Sequence, residues 1–520
     1  MTRFALFFII LFASFTWLGA ERKPDVLLIM SDDMGYSDLG CFGGEIRTPA
    51  LDALADGGVR FTNFYSENMC SVSRASLLTG IYHKSSLRNG ALHPRCLTLP
   101  EALRKAGYKT LMAGKWHLAG KNGNETYPND RGFDRFYGIL GGASSFFAPY
   151  SLSRDRKNVE REYRENSTYY FTRAIAQNAL AFLKDVPKDQ PLFLYLPFTA
   201  AHWPLHAPQE DIEKYKGHYA QGWDTLRQKR LARMKELGVI HPKVALSARH
   251  PKVPAWTDEP RKAWQERRME VYAAQVTIMD EAIGTVVEAL RKAGRFENTL
   301  TFFTIDNGGC HVEYGTNRKG YYLPEKTRDG RTMKPGNVPD LMPGPEITYQ
   351  SYGYGWANLS NTPYRLFKQY DHEGGVHTPM IAHWPKGIAG KGRIDQSLSH
   401  LVDLMPTILD AAKVTPQEQL GEKPRIQWDG HSLLPALQGN GPVDHQRLFF
   451  SHAKGMALRK GNWKLVKSKE SKGKSKWELY ELSADPNETK NLAEEMPEKV
   501  MQLSKEWESW EKEMITRAEN

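Results

Sequence analysis

The chain has 520 residues, of which 40% are hydrophobic and 25% are charged, a composition typical of a folded globular protein. At roughly 100–200 residues per domain, this length predicts one large domain and a smaller one. The net charge of +10 comes without a long block of like charges and without a nucleic-acid-binding motif. These features argue against nucleic acid as a partner and indicate a solvated basic surface, which would also suit an anionic substrate.

The N-terminus has the order of features that is typical of a signal peptide. An apolar run over residues 4–18 follows Arg3 and ends before the small pair Gly19-Ala20. This run is short for a membrane-spanning helix, which needs about 20 residues. We therefore predict a signal peptide over residues 1–20 and a secreted or periplasmic protein with no stable membrane insertion.

The first half of the chain then alternates strand-like and helix-like segments. Apolar runs typical of buried strands cover residues 26–30, 108–113, 192–196 and 299–305. Helical patterns cover residues 97–107, 172–186 and 268–293. This alternation predicts an α/β fold built on a large, mostly parallel sheet flanked by helices.

The remaining segments differ in character from this alternation. Residues 207–265 are rich in Lys, Arg, His, Trp and Pro and predict an insertion packed over the main domain, and residues 311–362 form a second loop-rich stretch. Short strands are predicted at 457–459, 463–466 and 477–480, followed by an amphipathic helix around 496–516. We therefore expect a large domain over residues 21–445 and a smaller α+β subdomain over residues 446–520, with an antiparallel sheet packed by the terminal helix.

Polar residues stand at the end of each predicted strand, where ligands bind in sheets of this kind. Asp32 and Asp33 follow the first strand, and Asp306 and Asn307 follow the fourth. Adjacent carboxylates are costly unless a cation neutralises them, and this oxygen-only set suits Ca²⁺ or Mg²⁺ better than zinc. Such pairs are often turn or cap residues, so each motif alone is weak. Together, on neighbouring strand ends, they predict a metal site.

Further residues with reactive side chains surround these positions. Cys70 opens a predicted helix, where the helix N-terminus and Arg74 could activate its thiol, although a buried structural cysteine is the commoner case. The four cysteines include no CxxC pair, which argues against a thiolate zinc site. Other candidates are Lys115 and His117 after the second strand, His202 after the third, and Lys368. A site for a compact oxyanion needs several such donors to converge.

These residues belong to an ordered set of motifs. Cys70-Ser71-Val72-Ser73-Arg74 runs into Ser76-Leu77-Leu78-Thr79-Gly80, and around it stand Ser31-Asp32-Asp33, Gly114-Lys115-Trp116-His117-Leu118, Gly132-Phe133-Asp134, His202-Trp203-Pro204, Asp306-Asn307-Gly308 and Glu373-Gly374-Gly375. From residue 24 to about residue 490, the chain resembles the type I sulfatase family of the alkaline phosphatase superfamily, whose signature is C-x-P-x-R. Val72 replaces the usual Pro or Ala of the signal that the maturation machinery reads, and His377 stands where many relatives carry Arg.

The resemblance implies an alkaline-phosphatase-like fold with a large mixed sheet, and sulfuric ester hydrolase activity. It implies that a formylglycine-generating or anaerobic maturase oxidises Cys70 to formylglycine, whose hydrated aldehyde attacks sulfur while Arg74 holds its oxygens. The implied Ca²⁺ ligands are Asp32, Asp33, Asp306, Asn307 and the modified Cys70. The implied sulfate-binding residues are Lys115, His202 and Lys368, with His117 as the base that deprotonates the second hydroxyl. The acid that protonates the leaving oxygen is Lys368 or His202.

The sequence is also compatible with two alternatives to a sulfatase. A phosphonate or phosphate monoester hydrolase could use the same scaffold, but phosphomonoester chemistry usually needs two metals with more His and Asp ligands. A non-catalytic, sulfated-glycan-binding relative would fit an unconverted Cys70, although the intact Lys and His set argues against it. The substrate is either an aryl sulfate or a sulfated carbohydrate. Aromatic residues that could stack on sugar rings, or simply pack, are Trp203, Trp223, Tyr321, Tyr322 and Trp356.

Overall fold

The computed structural model describes residues 22–121, 126–318, 322–443, 445–452, 455–467 and 476–519. The predicted signal peptide, residues 1–20, and Tyr321 lie outside these ranges. Within them, no helix combines the length and the apolar character that a bilayer-spanning segment requires.

A large mixed sheet runs through the centre of the structure. Within the described residues its eleven strands are, in chain order, β1 (Asp25–Ser31), β2 (Val59–Tyr65), β3 (Lys109–Lys115), β4 (Arg135–Ile139), β5 (Leu152–Arg154), β6 (Lys157–Asn158), β7 (Leu192–Pro197), β8 (Thr299–Ile305), β9 (His377–His383), β10 (Arg393–Asp395) and β11 (Ser399–His400). Their spatial order is β10-β2-β9-β8-β1-β7-β3-β4-β5-β6, and β11 also pairs with β2. The central strands β8, β1, β7, β3 and β4 are parallel, whereas β9, β2, β5 and β6 join antiparallel neighbours. The predicted fold class is confirmed.

Helices of the chain cover both faces of this sheet, and the last of them packs on a smaller sheet instead. They are α1 (Pro49–Asp56), α2 (Cys70–Thr79), α3 (His83–Ser86), α4 (Leu99–Lys105), α5 (Arg161–Arg164), α6 (Phe171–Lys184), α7 (Gln209–Glu213), α8 (Gly222–Glu236), α9 (Lys262–Lys292), α10 (Gly353–Ser360), α11 (Glu373–Val376), α12 (Leu404–Ala411), α13 (Leu434–Leu437) and α14 (Pro497–Glu519). Short ribbons pair Leu87–Arg88 with Ala91–Leu92, Lys334–Pro335 with Thr348–Tyr349, and Gln419–Leu420 with Lys423–Pro424.

Alternate residues of β1 enter two separate cores, because successive side chains of a strand point to opposite faces. Leu27 and Ile29 pack with residues of α6 and α9, whereas Leu28 and Met30 pack with residues of α2, α4 and α12. Every residue of β1 is buried, which explains why its sequence is a continuous apolar run rather than an alternating one.

The predicted elements of the first half match β1, β3, β7, β8 and helices α4, α6 and α9, with shifts at their ends. Helix α4 begins at Leu99 because Thr98 and Glu101 form a capping box, in which each side chain accepts from the other's backbone N–H. Helix α9 begins earlier than predicted, at Lys262, and its first turn places Trp264 in a buried position.

The predicted insertion, residues 207–265, packs against the main sheet's helices and includes α7 and α8. Arg230 of α8 is buried and donates hydrogen bonds of 2.7 Å to both Asp38 and Glu45. A buried guanidinium is tolerated only when it is paired in this way, so these contacts tie the insertion to the loop after β1.

Two of the aromatic residues considered for sugar stacking are core residues. Trp223 of α8 is 1% exposed and Trp356 of α10 is 0% exposed. Their rings meet edge to face with centroids 5.3 Å apart. The sugar-stacking role is therefore wrong for both, because no substrate can reach an indole that is enclosed by protein.

A smaller antiparallel sheet follows the main one, as predicted. Its strands are β12 (Arg447–His452), β13 (Gly455–Lys460), β14 (Trp463–Lys467) and β15 (Trp477–Glu481). One face packs against Trp507 and Trp510 of α14, and the other packs against Tyr65 and Val376 of the main sheet region. The terminal helix is longer than predicted and begins at Pro497.

A buried ion pair joins the two sheets and leads to our first prediction. Lys464 of β14 lies 2.6 Å from Glu373 and 3.1 Å from Glu488, and all three side chains are buried. Lys464→Met should lower the free energy of unfolding by about 3–5 kcal/mol, because it removes the ammonium group that two buried carboxylates share. Denaturant unfolding followed by fluorescence would measure this loss.

The control variant is Lys460→Met on the neighbouring strand. Lys460 pairs with Glu506 at 2.9 Å but is 44% exposed, and exposed pairs contribute about 0–1 kcal/mol. Equally small losses in the free energy of unfolding of the two variants would contradict the structural role assigned to Lys464.

Candidate active site

The carboxyl ends of the central parallel strands bring the predicted site residues together. Ser31 of β1 pairs with Ile305 of β8, so the residues that follow these two strands become neighbours. The backbone N–H of Asp33 donates to the Asp306 carboxylate at 3.2 Å, and the Asn307 amide donates to the Asp33 carboxylate at 2.7 Å. The four residues predicted as oxygen ligands therefore form one buried cluster.

Three oxygens of this cluster have no hydrogen-bond donor among the described residues. They are Oδ1 of Asp32, Oδ2 of Asp33 and Oδ1 of Asn307, and all three are buried. Buried oxygens without a donor are costly, whereas a hard divalent cation satisfies carboxylate and amide oxygens directly. One ligand atom from each of Asp32, Asp33, Cys70 and His202 lies within 4.8 Å of the others. The donor set therefore fits a divalent cation.

The carboxylates of the cluster also repel one another. Burial, followed by repulsion from Asp32, raises the pKa of Asp306 to about 7. Burial would also raise the pKa of Asp32, but the nearby positive groups, of which Lys115 has the largest effect, together outweigh burial and hold that pKa below its usual value. A bound cation would relieve the repulsion that remains.

Cys70 is the first residue of α2, and its side chain points at this cluster. Its Sγ lies 3.0 Å from Nζ of Lys368 and 3.9 Å from Oδ1 of Asp33. Burial, followed by repulsion from Asp32, raises the pKa of the Cys70 thiol well above its usual value. The unmodified thiol therefore stays protonated, and activation by the helix N-terminus does not make it a thiolate nucleophile. All four cysteines of the chain are buried and free of disulfides.

Arg74 connects two strand ends beneath Cys70. Its guanidinium donates to the Asp306 carboxylate at 3.0 Å and to the backbone carbonyl of Lys115 at 2.9 Å. In the described part of the chain no hydrogen bond joins Arg74 to the Cys70 side chain, so its predicted contact with formylglycine oxygens stays a prediction.

Three cationic or imidazole groups surround the carboxylates. Lys115 lies 2.5 Å from Asp32, and Lys368 lies 2.6 Å from Asp33. Nε2 of His202 lies 3.4 Å from Asp33, while its Nδ1 is 2.6 Å from its neighbour's carbonyl oxygen. Burial lowers the pKa of His202 to about 4. The predicted sulfate-binding residues therefore converge on one point, next to Cys70.

His117 stands at the edge of the same cluster. Its backbone has a positive φ of 58°, and a Cβ on Gly142 would lie 2.3 Å from its Nε2, so only glycine leaves room for the ring. Burial and the positive charges of Lys115 and Arg74 lower the pKa of His117 well below its usual value. The imidazole is therefore neutral near pH 7 and can accept a proton.

The segment around Lys368 is held in place by backbone contacts that the sequence did not reveal. These contacts involve the two glycine-containing motifs at 306–309 and 373–375, and Asn68. A Cβ on Gly308 would lie 1.9 Å from the Gly374 carbonyl oxygen, so the two glycine motifs are in direct contact. The backbone N–H of Lys368 donates to Gly309 at 3.2 Å, and that of Gln369 donates to Asn68 at 2.8 Å. Asn68 lies two residues before Cys70, a position close to the signature motif but with no recognisable pattern of its own.

A large mixed sheet flanked by helices, with this buried cluster at the carboxyl ends of its central parallel strands, is an alkaline-phosphatase-like fold. The sulfatase family model matches residues 24–414, and a model for the C-terminal part of N-sulphoglucosamine sulphohydrolase matches residues 364–513. The chain is 35% identical to an arylsulfatase of Klebsiella aerogenes over 79% of this chain and 92% of that protein. It is 32% identical to an uncharacterized sulfatase of Schizosaccharomyces pombe over 96% and 95% of the two chains.

A solved structure agrees with these sequence matches. The crystal structure of Ps i-CgsB in complex with k-i-k-neocarrahexaose has a TM-score of 0.66 and 25% identity, covering 94% of this chain and 93% of that chain. The chain therefore belongs to the type I sulfatase family and is a sulfuric ester hydrolase.

Proposed function

We propose that the protein hydrolyses sulfate esters with a formylglycine made from Cys70 and one bound Ca²⁺. The observation that carries this proposal is the group of buried, donor-free oxygens on Asp32, Asp33 and Asn307, which lies beside the Cys70 side chain. These oxygens, with Asp306 and the modified Cys70, would hold the cation. The cation would polarise the ester and lower the pKa of the attacking hydroxyl.

The hydrated formylglycine supplies two hydroxyl groups. One would attack sulfur and displace the alcohol, which gives a sulfate ester of the formylglycine, and the other would then lose a proton and expel the sulfate, which restores the aldehyde. Cys70 is 2% exposed and Val72 is 1% exposed in the folded protein. A maturation enzyme cannot reach them there, so the oxidation must precede completion of the fold. Arg74 would bind the formylglycine oxygens from its position in α2, where its guanidinium already contacts residues at two strand ends.

The chain's own residues orient and neutralise the substrate. Lys115, His202 and Lys368 converge beside Cys70 and would bind the sulfate oxygens, whose charge grows in the transition state; His202 would do so once its Nε2 also carries a proton. His117, which is neutral, would take the proton from the second hydroxyl when sulfate leaves.

We further propose a sulfated carbohydrate as the substrate, and a secreted or periplasmic location that follows from the predicted signal peptide. The similar structure of Ps i-CgsB was solved with an oligosaccharide, while the Klebsiella relative is named an arylsulfatase. We assign catalysis to residues 21–445 and a supporting structural role to the subdomain of residues 446–520. Lys464 of this subdomain forms an ion pair with Glu373.

The test of this function is hydrolysis of an ester panel by protein that was matured together with a maturase. We expect turnover of p-nitrophenyl sulfate and of sulfated oligosaccharides, with rates on phosphate and phosphonate monoesters lower by at least about 100-fold. This preference follows because the donor set fits one metal rather than the two that phosphomonoester chemistry usually uses. Faster phosphonate than sulfate turnover would overturn the sulfatase proposal.

A further inference from the structure

A cationic, aromatic cluster lies beside the proposed sulfate-binding site. Trp203 directly follows His202, and the two rings have centroids 4.3 Å apart. The guanidinium of Arg318 lies over Trp203, 5.5 Å from the ring centroid, and over Tyr314, at 5.0 Å. One half-buried indole therefore separates Arg318 from an imidazole of the active site.

The aromatic rings hold Arg318 in place without using its hydrogen-bonding edge. Tyr314 is buried and packs against Trp203 with centroids 5.0 Å apart, so the platform beneath Arg318 is rigid. A guanidinium that stacks on rings with its face keeps its N–H donors free in the plane. Because these donors form a fixed fork, they match the two oxygens of a carboxylate or sulfate.

Arg318 has no acidic partner among the described residues, although it is exposed. Within the described ranges, arginines such as Arg74 and Arg230 form ion pairs shorter than 4.0 Å, but Arg318 forms none. Arg318 is one of the residues that line a cavity of about 670 Å³, together with Lys326, Glu325 and Thr332. That volume falls within the range of small-ligand sites, roughly 300–1,000 Å³. The cavity is therefore large enough for a sugar unit that carries an anionic group.

We propose that Arg318, held by Trp203 and Tyr314, binds a second oxyanion on the substrate, a sulfate or a carboxylate on the sugar next to the sulfate that is hydrolysed. The inference rests on the proposed function, because it takes the cluster around Cys70 as the first sulfate site. It makes the substrate a polyanionic glycan rather than a simple aryl sulfate, in keeping with the net charge of +10.

The experiment compares Arg318→Ala with the unchanged enzyme. Competitive inhibition of p-nitrophenyl sulfate hydrolysis is measured for disaccharides that carry one sulfate, two sulfates, or one sulfate and one uronate. In the variant, the inhibition constants of the doubly charged disaccharides should rise by about tenfold or more, which is the effect of losing one hydrogen-bonded charge pair. Its kcat and KM for p-nitrophenyl sulfate should stay within about twofold. The two doubly charged inhibitors show whether the second group is a sulfate or a carboxylate.

Two further variants separate this site from a general charge effect. Arg447→Ala removes an arginine that also stacks on a ring, that of Phe449, but lies in the smaller sheet, and it should leave all inhibition constants unchanged. Arg318→Lys keeps the charge without the planar fork and should give an intermediate loss. If Arg318→Ala raises the inhibition constants of singly and doubly charged inhibitors equally, or raises neither, the proposed second site is overturned.

Calorimetry keeps the two proposals distinguishable. If the protein hydrolyses no sulfate ester, the proposed function fails. Binding of the doubly charged disaccharides to Cys70→Ala protein, with and without Arg318→Ala, still tests the second site. An unchanged dissociation constant in that pair would refute it independently of turnover.

Discussion

Cys70→Ala is expected to abolish turnover of sulfate esters, with kcat falling by at least about 10⁴-fold. The reason is that the variant lacks the precursor of the nucleophile, while Lys115, His202 and Lys368 can still bind the sulfate. Folding should be nearly unchanged, because the substitution removes a single heavy atom and leaves only a small cavity. Steady-state kinetics and circular dichroism would measure the two effects, and mass spectrometry of the Cys70 peptide should show the lighter formylglycine in active protein.

The control is Cys96→Ala. Cys96 is also a buried free cysteine, and its thiol contacts the Ser85 carbonyl oxygen at 3.8 Å, away from the carboxylate cluster. This variant should keep both its activity and its conversion of Cys70. Full activity in Cys70→Ala, or an intact thiol at Cys70 in fully active protein, would refute the mechanism.

Removal of the metal should have the second-largest effect. Chelator-treated protein is expected to lose at least about 100-fold in kcat and to melt at a lower temperature, since a ligand at 100 times its Kd contributes about 2.7 kcal/mol to stability. Ca²⁺ should restore both properties, and Zn²⁺ should not, because the cluster offers carboxylate and amide oxygens. Differential scanning fluorimetry with each ion gives a readout that does not depend on turnover.

A pair of variants locates this metal. Asp33→Asn should remove the Ca²⁺-dependent rise in melting temperature, because it takes a charged ligand from the cluster. Asp211→Asn changes another buried carboxylate, in α7, which pairs with Arg173 at 2.7 Å. This variant should keep the full response to Ca²⁺. A Ca²⁺ response that survives in Asp33→Asn but disappears in Asp211→Asn would place the ion elsewhere.

Much of the fold follows from local patterns in the sequence. Strands β1, β3, β7 and β8 were predictable because a parallel strand buried on both faces must be apolar along its whole length. The ends of elements were less predictable: α4 starts at Leu99 because of a capping contact, and α9 extends back to Lys262. The roles of Trp223 and Trp356 were not predictable, since an aromatic residue in a loop-rich segment has the same local sequence whether it is buried or exposed.

The fold class, the strand ends that carry the polar motifs, and the family could be predicted from the sequence, because these depend on hydrophobic periodicity and on short ordered motifs. The folded chain, in contrast, established which charges meet: Lys115 pairs with Asp32, Lys368 with Asp33, and Arg74 with Asp306. It also decided that Arg318 stacks beside the active site. Such pairings join positions far apart in the chain, and they depend on the register of strands and on long loops, which no local pattern encodes.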